Sequence, residues 1–167
     1  MWKGFEEMRQ WGWIETVPRL VAAETSGSLT AAGEQNVDMP PTVPRNSKSI
    51  ANSIFIDRGT YQARHALKES NGTAVTLDDE TLISARDRLA ATSGLSVELS
   101  SAAAFAAVDA LSGAGVMKPG ESVVAIATAP GLKDFGVPGI PQLGAPDVAP
   151  DLDSVLRALD ENYGYHV

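Results

Sequence analysis

The chain has 167 residues, no cysteine and a formal charge of −8, from 13 basic and 21 acidic side chains. The missing cysteines exclude disulfides, zinc–thiolate sites, iron–sulfur clusters and thiol nucleophiles. The acidic balance argues against non-specific nucleic-acid binding, which needs a basic footprint, and two histidines, His65 and His166, argue against a multi-histidine metal site. A chain this long removes about 68–70% of its unfolded surface from water, so it builds a core without covalent staples. Its 44% apolar and 20% charged content is that of a globular protein. No run approaches the ~20 apolar residues of a membrane span, and no secretory pattern opens the chain. The cytoplasm is therefore the expected compartment, with neither membrane nor nucleic acid as partner.

Trp2 to Trp11 reads as a helix, with Phe5, Met8 and Trp11 on one face and Gly12 as its stop. Only Met1 precedes it, so no capping side chain starts it; a cut within a longer protein would leave such an end. Pro18 to Glu24 reads as a short buried strand, and residues 25–34 as a short helix. Three prolines within Asp38–Arg45 enforce an irregular connection. Ser49 to Asp57 predicts a helical turn and an extended exit. Gly59 to Glu69 predicts a helix with Ala63, Ala66 and Leu67 inward, closed by Asn71-Gly72.

Thr73 to Leu77 predicts a second strand, after which Asp78 caps a long helix whose first turn carries Asp79 and Glu80. Leu82, Ala85, Leu89 and Ala90 form its apolar stripe, with Arg86 and Arg88 expected in water. Ser93-Gly94 ends it. Leu95 to Leu99 is expected as a short strand, and Ser100 and Ser101 as caps of the alanine-rich helix Ala102–Leu111, which must be buried on several sides. Ser122 to Ala127 is a continuous apolar run, the kind found at the centre of a parallel sheet. Thr128 to Asp134 follows as a polar turn. Residues 136–150 carry four prolines and three glycines and read as a linker. Asp151 caps a last helix with a Leu152, Val155, Leu156, Leu159 seam. The organisation is thus 1–135, a linker at 136–150, and a helix and tail at 151–167. Strand alternating with helix predicts an α/β class with a mostly parallel sheet flanked by helices.

Ligands on such sheets gather at the carboxyl ends of strands, which directs attention to the exits at Leu99 and Thr128. The Thr128 hydroxyl can donate and accept. Glu98, between Val97 and Leu99, is a carboxylate in an apolar setting, where a partner or a function is needed. Ser101 lies at a helix start, where capping is the ordinary use and anion binding the rarer one. Lys48 sits in a Pro-rich polar loop and reads as a solvated lysine. Lys133 and Asp134 read as a surface pair. No G-x-G-x-x-G or Walker pattern is present. From the residues alone, the outcome is a ligand-binding α/β half-sheet.

Six segments in order resemble the C-terminal half of threonine synthase: Trp2-Lys-Gly-Phe-Glu-Glu7, Pro18-Arg-Leu-Val21, Ser49-Ile-Ala-Asn-Ser-Ile54, Asp79-Glu-Thr-Leu82, Val97-Glu-Leu-Ser-Ser-Ala-Ala103 and Thr128-Ala-Pro-Gly-Leu-Lys-Asp134. That family has the tryptophan-synthase-β-like fold of pyridoxal 5'-phosphate (PLP) lyases, and the resemblance covers residues 2 to about 135. It implies PLP as cofactor, with Thr128 on the pyridine nitrogen, the Glu98–Ser101 stretch at the cofactor's edge, and Ile50–Thr60 on the substrate side. It implies conversion of O-phosphohomoserine to threonine and phosphate. The family's Schiff-base lysine and glycine-rich phosphate loop have no counterpart here, and Lys48 lacks the expected context. No catalytic residue is therefore assigned, and the chain alone is expected to be inert. A missing N-terminal half or a complementary chain is the implied partner, with Trp2, Phe5 and Trp13 as candidates for the surface it covers; a homo-oligomer is also open. Two motifs depart from the family, at Thr128-Ala-Pro-Gly131 and Ile56-Asp-Arg-Gly59. They leave a threonine dehydratase, a cysteate-synthase-like activity, or a non-catalytic or split-subunit binding module as alternatives.

Overall fold

The computed structural model describes residues 1–44, 49–134 and 146–166, so Lys48 and most of the expected linker lie outside it. The chain divides into two compact units, Met1–Asp134 and Phe135–Val167.

The first unit is α/β. Helix α1 (Trp2–Gln10) ends where Gly12 turns left-handed, φ +72°. The Gly12 N–H then donates to Arg9 O and the Trp13 N–H to Met8 O, closing the last turn. Strand β1 (Val21–Glu24) and strand β2 (Thr73–Thr76) pair in parallel, with Val21 opposite Thr73 and Glu24 opposite Thr76. Between them run α2 (Ser28–Glu34), a 3-10 turn (Asn52–Ile54) and α3 (Tyr61–Glu69). After β2 come α4 (Asp79–Ser93), α5 (Leu99–Gly113) and a 3-10 turn, Gly131–Lys133.

Local chemistry sets these boundaries. Thr60 caps α3 and Asp78 caps α4 through their side chains, each accepting the N–H three residues on. The α3 helix closes on Asn71 at φ 51°, with the Gly72 N–H donating to Leu67 O at 2.7 Å. Gly72 must stay glycine, because a Cβ there would lie 2.0 Å from the Leu20 carbonyl oxygen. Glu24 ends β1 with its buried carboxylate accepting the N–H groups of Leu29 (3.0 Å) and Thr30 (2.7 Å). One strand-end acid thus satisfies two orphan donors of the next helix.

The core is made by α4 and α5 packing on each other and by α5 covering the sheet. Leu82, Ala85, Leu99, Ala102, Ala103, Ala106 and Ala107 are its buried side chains there. Small residues let α5 come close to its neighbours, as an all-round apolar helix requires.

Four expectations need correction. Leu95–Leu99 is not a strand: Leu99 opens α5, Leu95 is exposed, and Val97 makes a single antiparallel bridge to Pro130. The α5 cap is Glu98, without a side-chain cap bond; Ser100 and Ser101 lie inside the first turn. Arg86 is buried rather than in water, its guanidinium on the Asp87 carboxylate at 2.8 Å, while Ala90 is exposed. Positions 82, 85, 86 and 89 are the true i, i+3, i+4, i+7 face, and Arg86 falls on it. Ser122–Ala127 is not a strand either: Val123, Val124 and Ile126 are exposed. A strand is a pairing, and a doubly buried parallel one needs neighbours at both edges. Among the described residues the sheet has two strands, β1 and β2.

In the second unit, α6 (Leu152–Tyr163) is capped by Asp151, whose carboxylate accepts the Ser154 N–H at 2.8 Å. That bond holds its carboxyl below the usual range. Its seam residues Leu152 and Val155 are exposed.

Candidate functional site

The two segment exits singled out in the sequence meet at the N-terminus of α5. The bridge between Val97 and Pro130 draws them together, flanked by the Glu98 N–H donating to Ala129 O (3.1 Å) and the Gly131 N–H donating to Ser96 O (3.0 Å). Gly131 fits because it has no side chain: a Cβ would stand 2.4 Å from Ser96 Oγ and 3.2 Å from Val97 O.

This clamp brings Thr128, Glu98 and Ser101 into one cluster. Ser101 Oγ, only 1% exposed as a residue, lies 2.7 Å from Thr128 Oγ1 and accepts the Ala129 N–H at 2.9 Å. Thr128 itself is an exposed residue, and a buried serine stands behind its hydroxyl. Glu98 is buried at the start of α5, and its carboxylate lies 3.6 Å from Lys133 Nζ. Asp134 Oδ2 accepts the Leu99 N–H at 2.7 Å, filling an orphan donor of the helix. Lys133 and Asp134 are therefore not simply a surface pair: each returns to the start of α5. Sequence reasoning missed this use of Asp134; an acid at the end of a turn whose other members approach a helix start was its one signal.

The segment Ile50–Thr60 is organised separately. The Ser49 hydroxyl and the Ile50 N–H donate to the Asp79 carboxylate at 2.5 and 3.1 Å. The Gly59 N–H donates to Ser28 Oγ, which in turn donates to Pro41 O. Of the apolar residues expected at a covered surface, Trp13 is 71% exposed while Trp2 and Phe5 are half-buried; Trp11 is exposed instead and meets Trp13 edge to face at 5.1 Å.

Among the described residues no group of three or more His, Asp or Glu side chains is placed to hold a metal ion. No described helix is long and apolar enough to cross a membrane.

Chemically, a neutral hydroxyl braced by a second one can offer its proton to an uncharged heteroatom. The chain matches the pyridoxal-phosphate-dependent enzyme family over residues 1–129 and belongs to it. The family is PLP-dependent, and its tryptophan-synthase-β-like fold agrees with the parallel sheet and flanking helices. The chain is similar to threonine synthases: 32% identical over 137 residues to that of Methanosarcina acetivorans and 31% over 139 to that of Methanocaldococcus jannaschii, covering 80% of this chain and 34% of each relative. The threonine synthase of Mycobacterium tuberculosis is 29% identical over 133 residues, covering 80% of this chain and 36% of that protein. The chain thus spans about a third of the length of these relatives.

The cluster fits one edge of PLP, since a hydroxyl suits a pyridine nitrogen. It does not fit the other two ends. The described lysine beside it, Lys133, faces Glu98, and no glycine-rich phosphate cradle is formed among the described residues.

Proposed function

We propose that this chain is the C-terminal part of a PLP-dependent lyase of threonine synthase type, which converts O-phosphohomoserine to threonine and phosphate together with a missing N-terminal half or a complementary polypeptide. The observation that carries the reading is the hydroxyl of the exposed residue Thr128, braced on buried Ser101 at 2.7 Å. In this reading Thr128 would hold the pyridine nitrogen, and the Glu98–Ser101 stretch would lie at the ring's edge, with Ser101 behind Thr128. PLP, when bound, supplies the electron sink for carbanion chemistry on an amino acid. A hydroxyl partner, unlike a carboxylate, leaves the ring nitrogen neutral. Residues 1–135 are proposed as the cofactor-domain part, followed by the Pro/Gly linker at 136–150 and the helix and tail at 151–167.

The complementary polypeptide would bring the Schiff-base lysine and the phosphate cradle. The bare apolar run Ser122–Ala127 and the exposed Trp11–Trp13 pair support such a covering part, because exposed apolar surface of this kind marks an interaction site. The test combines the full chain, PLP and the portion of the Methanosarcina acetivorans threonine synthase that its match leaves uncovered. The assembled pair should develop a visible cofactor absorbance and release phosphate from O-phosphohomoserine, while the chain alone does neither. An assembled pair with no cofactor band overturns the reading, and a band from the chain alone overturns the need for a second part.

A non-catalytic binding module is the second reading. It is favoured by Lys133 being engaged with Glu98 rather than free. Here the assembled pair binds PLP and releases no phosphate.

A further inference from the structure

We propose that Ser101 is a positioning residue that fixes the hydrogen-bond sense of Thr128, keeping the Thr128 proton available to a ligand. The ligand part of this proposal, an unprotonated heteroaromatic nitrogen, rests on the PLP reading above; the hydrogen-bond sense rests on geometry alone.

A serine hydroxyl has one proton and two lone pairs. One lone pair of Ser101 is taken by the Ala129 N–H at 2.9 Å. The 2.7 Å contact with Thr128 Oγ1 needs one proton, from either side. Ser101 is sealed from water, and among the described residues Thr128 Oγ1 is the acceptor within its reach. If Thr128 donated inward, the Ser101 proton would be buried without an acceptor, an arrangement folded proteins avoid. Thr128 is exposed and loses nothing by accepting, since water or a ligand takes its own proton. Ser101 therefore donates, and Thr128 keeps its proton for the outside.

The neighbouring charges select the ligand's protonation state. A pyridinium needs a carboxylate opposite its N–H. The two carboxylates next to this junction are committed: Glu98 faces Lys133 at 3.6 Å, and Asp134 accepts the Leu99 N–H at 2.7 Å. A neutral nitrogen, which only accepts, matches the single outward donor. The clamp makes the arrangement rigid, because Ala129 N–H and Ala129 O both bond to the first turn of α5 or its cap.

The sense is read on the full ligand-free chain, from the Cβ resonances of Ser101 and Thr128 in equal H2O and D2O. Slow exchange at Ser101, seen as two Cβ lines, with fast exchange at Thr128 is the expected result. A slow Thr128 proton with a fast Ser101 proton overturns the proposal. The ligand half is read with millimolar 15N-labelled 3-hydroxypyridine. Binding should shift the ring nitrogen only within its unprotonated range, weaken about tenfold in Ser101→Ala, as one lost hydrogen bond implies, and survive in Thr128→Ser. The helical circular dichroism and the Gly131 amide signal, whose bond to Ser96 O does not involve Ser101, report whether Ser101→Ala stays folded. Should that variant unfold, Thr128→Val serves in its place: it must lose the probe and release the Ser101 proton to fast exchange, and unchanged binding overturns the assignment. If the wild-type chain shows the expected proton sense but no probe binding, the heteroaromatic-nitrogen reading falls and the donor sense stands.

Discussion

Two neighbouring stretches, one a clamp and the other bare, show how differently apolar sequence behaves with and without partners. Residues 96–101 and 128–134 hold each other through a bridge, two backbone–backbone bonds, the Ala129 N–H on Ser101 Oγ and a carboxylate on a helix end. Residues 122–127, just upstream, are more apolar, yet Val124 is 88% exposed and the run pairs with no strand. Val123 and Ala125 line a shallow groove with Leu89 of α4 and Phe105 and Val108 of α5. Burial here follows hydrogen-bond partners rather than hydropathy: the clamp has acceptors for its N–H groups, and the run has no neighbouring strand to supply them.

The contrast breaks most sharply at Leu99, 1% exposed at the helix start. Leu99→Ala should cost about 2–5 kcal/mol in urea unfolding, and a cost below 1 would mean that the clamp is not packed as described. Gly131→Ala should follow at about 1–3 kcal/mol, because its Cβ would press on Ser96 Oγ and Val97 O; a wild-type denaturation midpoint would show that the turn yields freely. Asp134→Ala removes the acceptor of the Leu99 N–H and should cost about 1 kcal/mol, as lost helix caps do.

The helix behind the groove adds a pH dependence. The Asp78 carboxyl is lowered by the hydrogen bonds it receives from Thr81, side chain first and then backbone. A depressed folded pKa contributes stability above the unfolded value, ~3.9, that is lost as pH falls through the folded value. Asp78→Asn should therefore flatten the acid limb of the stability curve below about pH 4; an unchanged limb would remove Asp78 from that role. The smallest effect belongs to the bare run. Val124→Thr should change stability by less than about 0.5 kcal/mol in this chain and, under the proposed function, impair assembly with the part that would cover the run. A large loss in the isolated chain would mean that the run is already buried.

The elements that were legible in the sequence are those with local signals. Asp78 and Asp151 announce their helices, Gly12 and Gly94 end theirs in left-handed turns, and β1 and β2 follow from short apolar runs. The candidate site was legible as three residue names, Thr128, Glu98 and Ser101, found partly through resemblance. Their contact was not, because 27 residues separate Ser101 from Thr128. Arg86 was misplaced because its charge outweighed its position on the 82, 85, 86, 89 face. Glu24 and Asp134 escaped notice because each caps a helix from outside it, without a spacing rule to reveal them.

By itself the sequence determined the class of fold, the capped starts of α4 and α6, the left-handed stops at Gly12 and Gly94, and membership of a PLP-dependent family. Those depend on caps, periodicity and motif order, which act within a few residues of one another. Only the tertiary structure decided that Val97–Leu99 ends in a helix rather than a strand, that Ser122–Ala127 stays bare, and that a buried serine stands behind Thr128. Each of these turns on whether a distant backbone group or side chain is present to complete a hydrogen bond, and distant partners are what a local pattern does not carry.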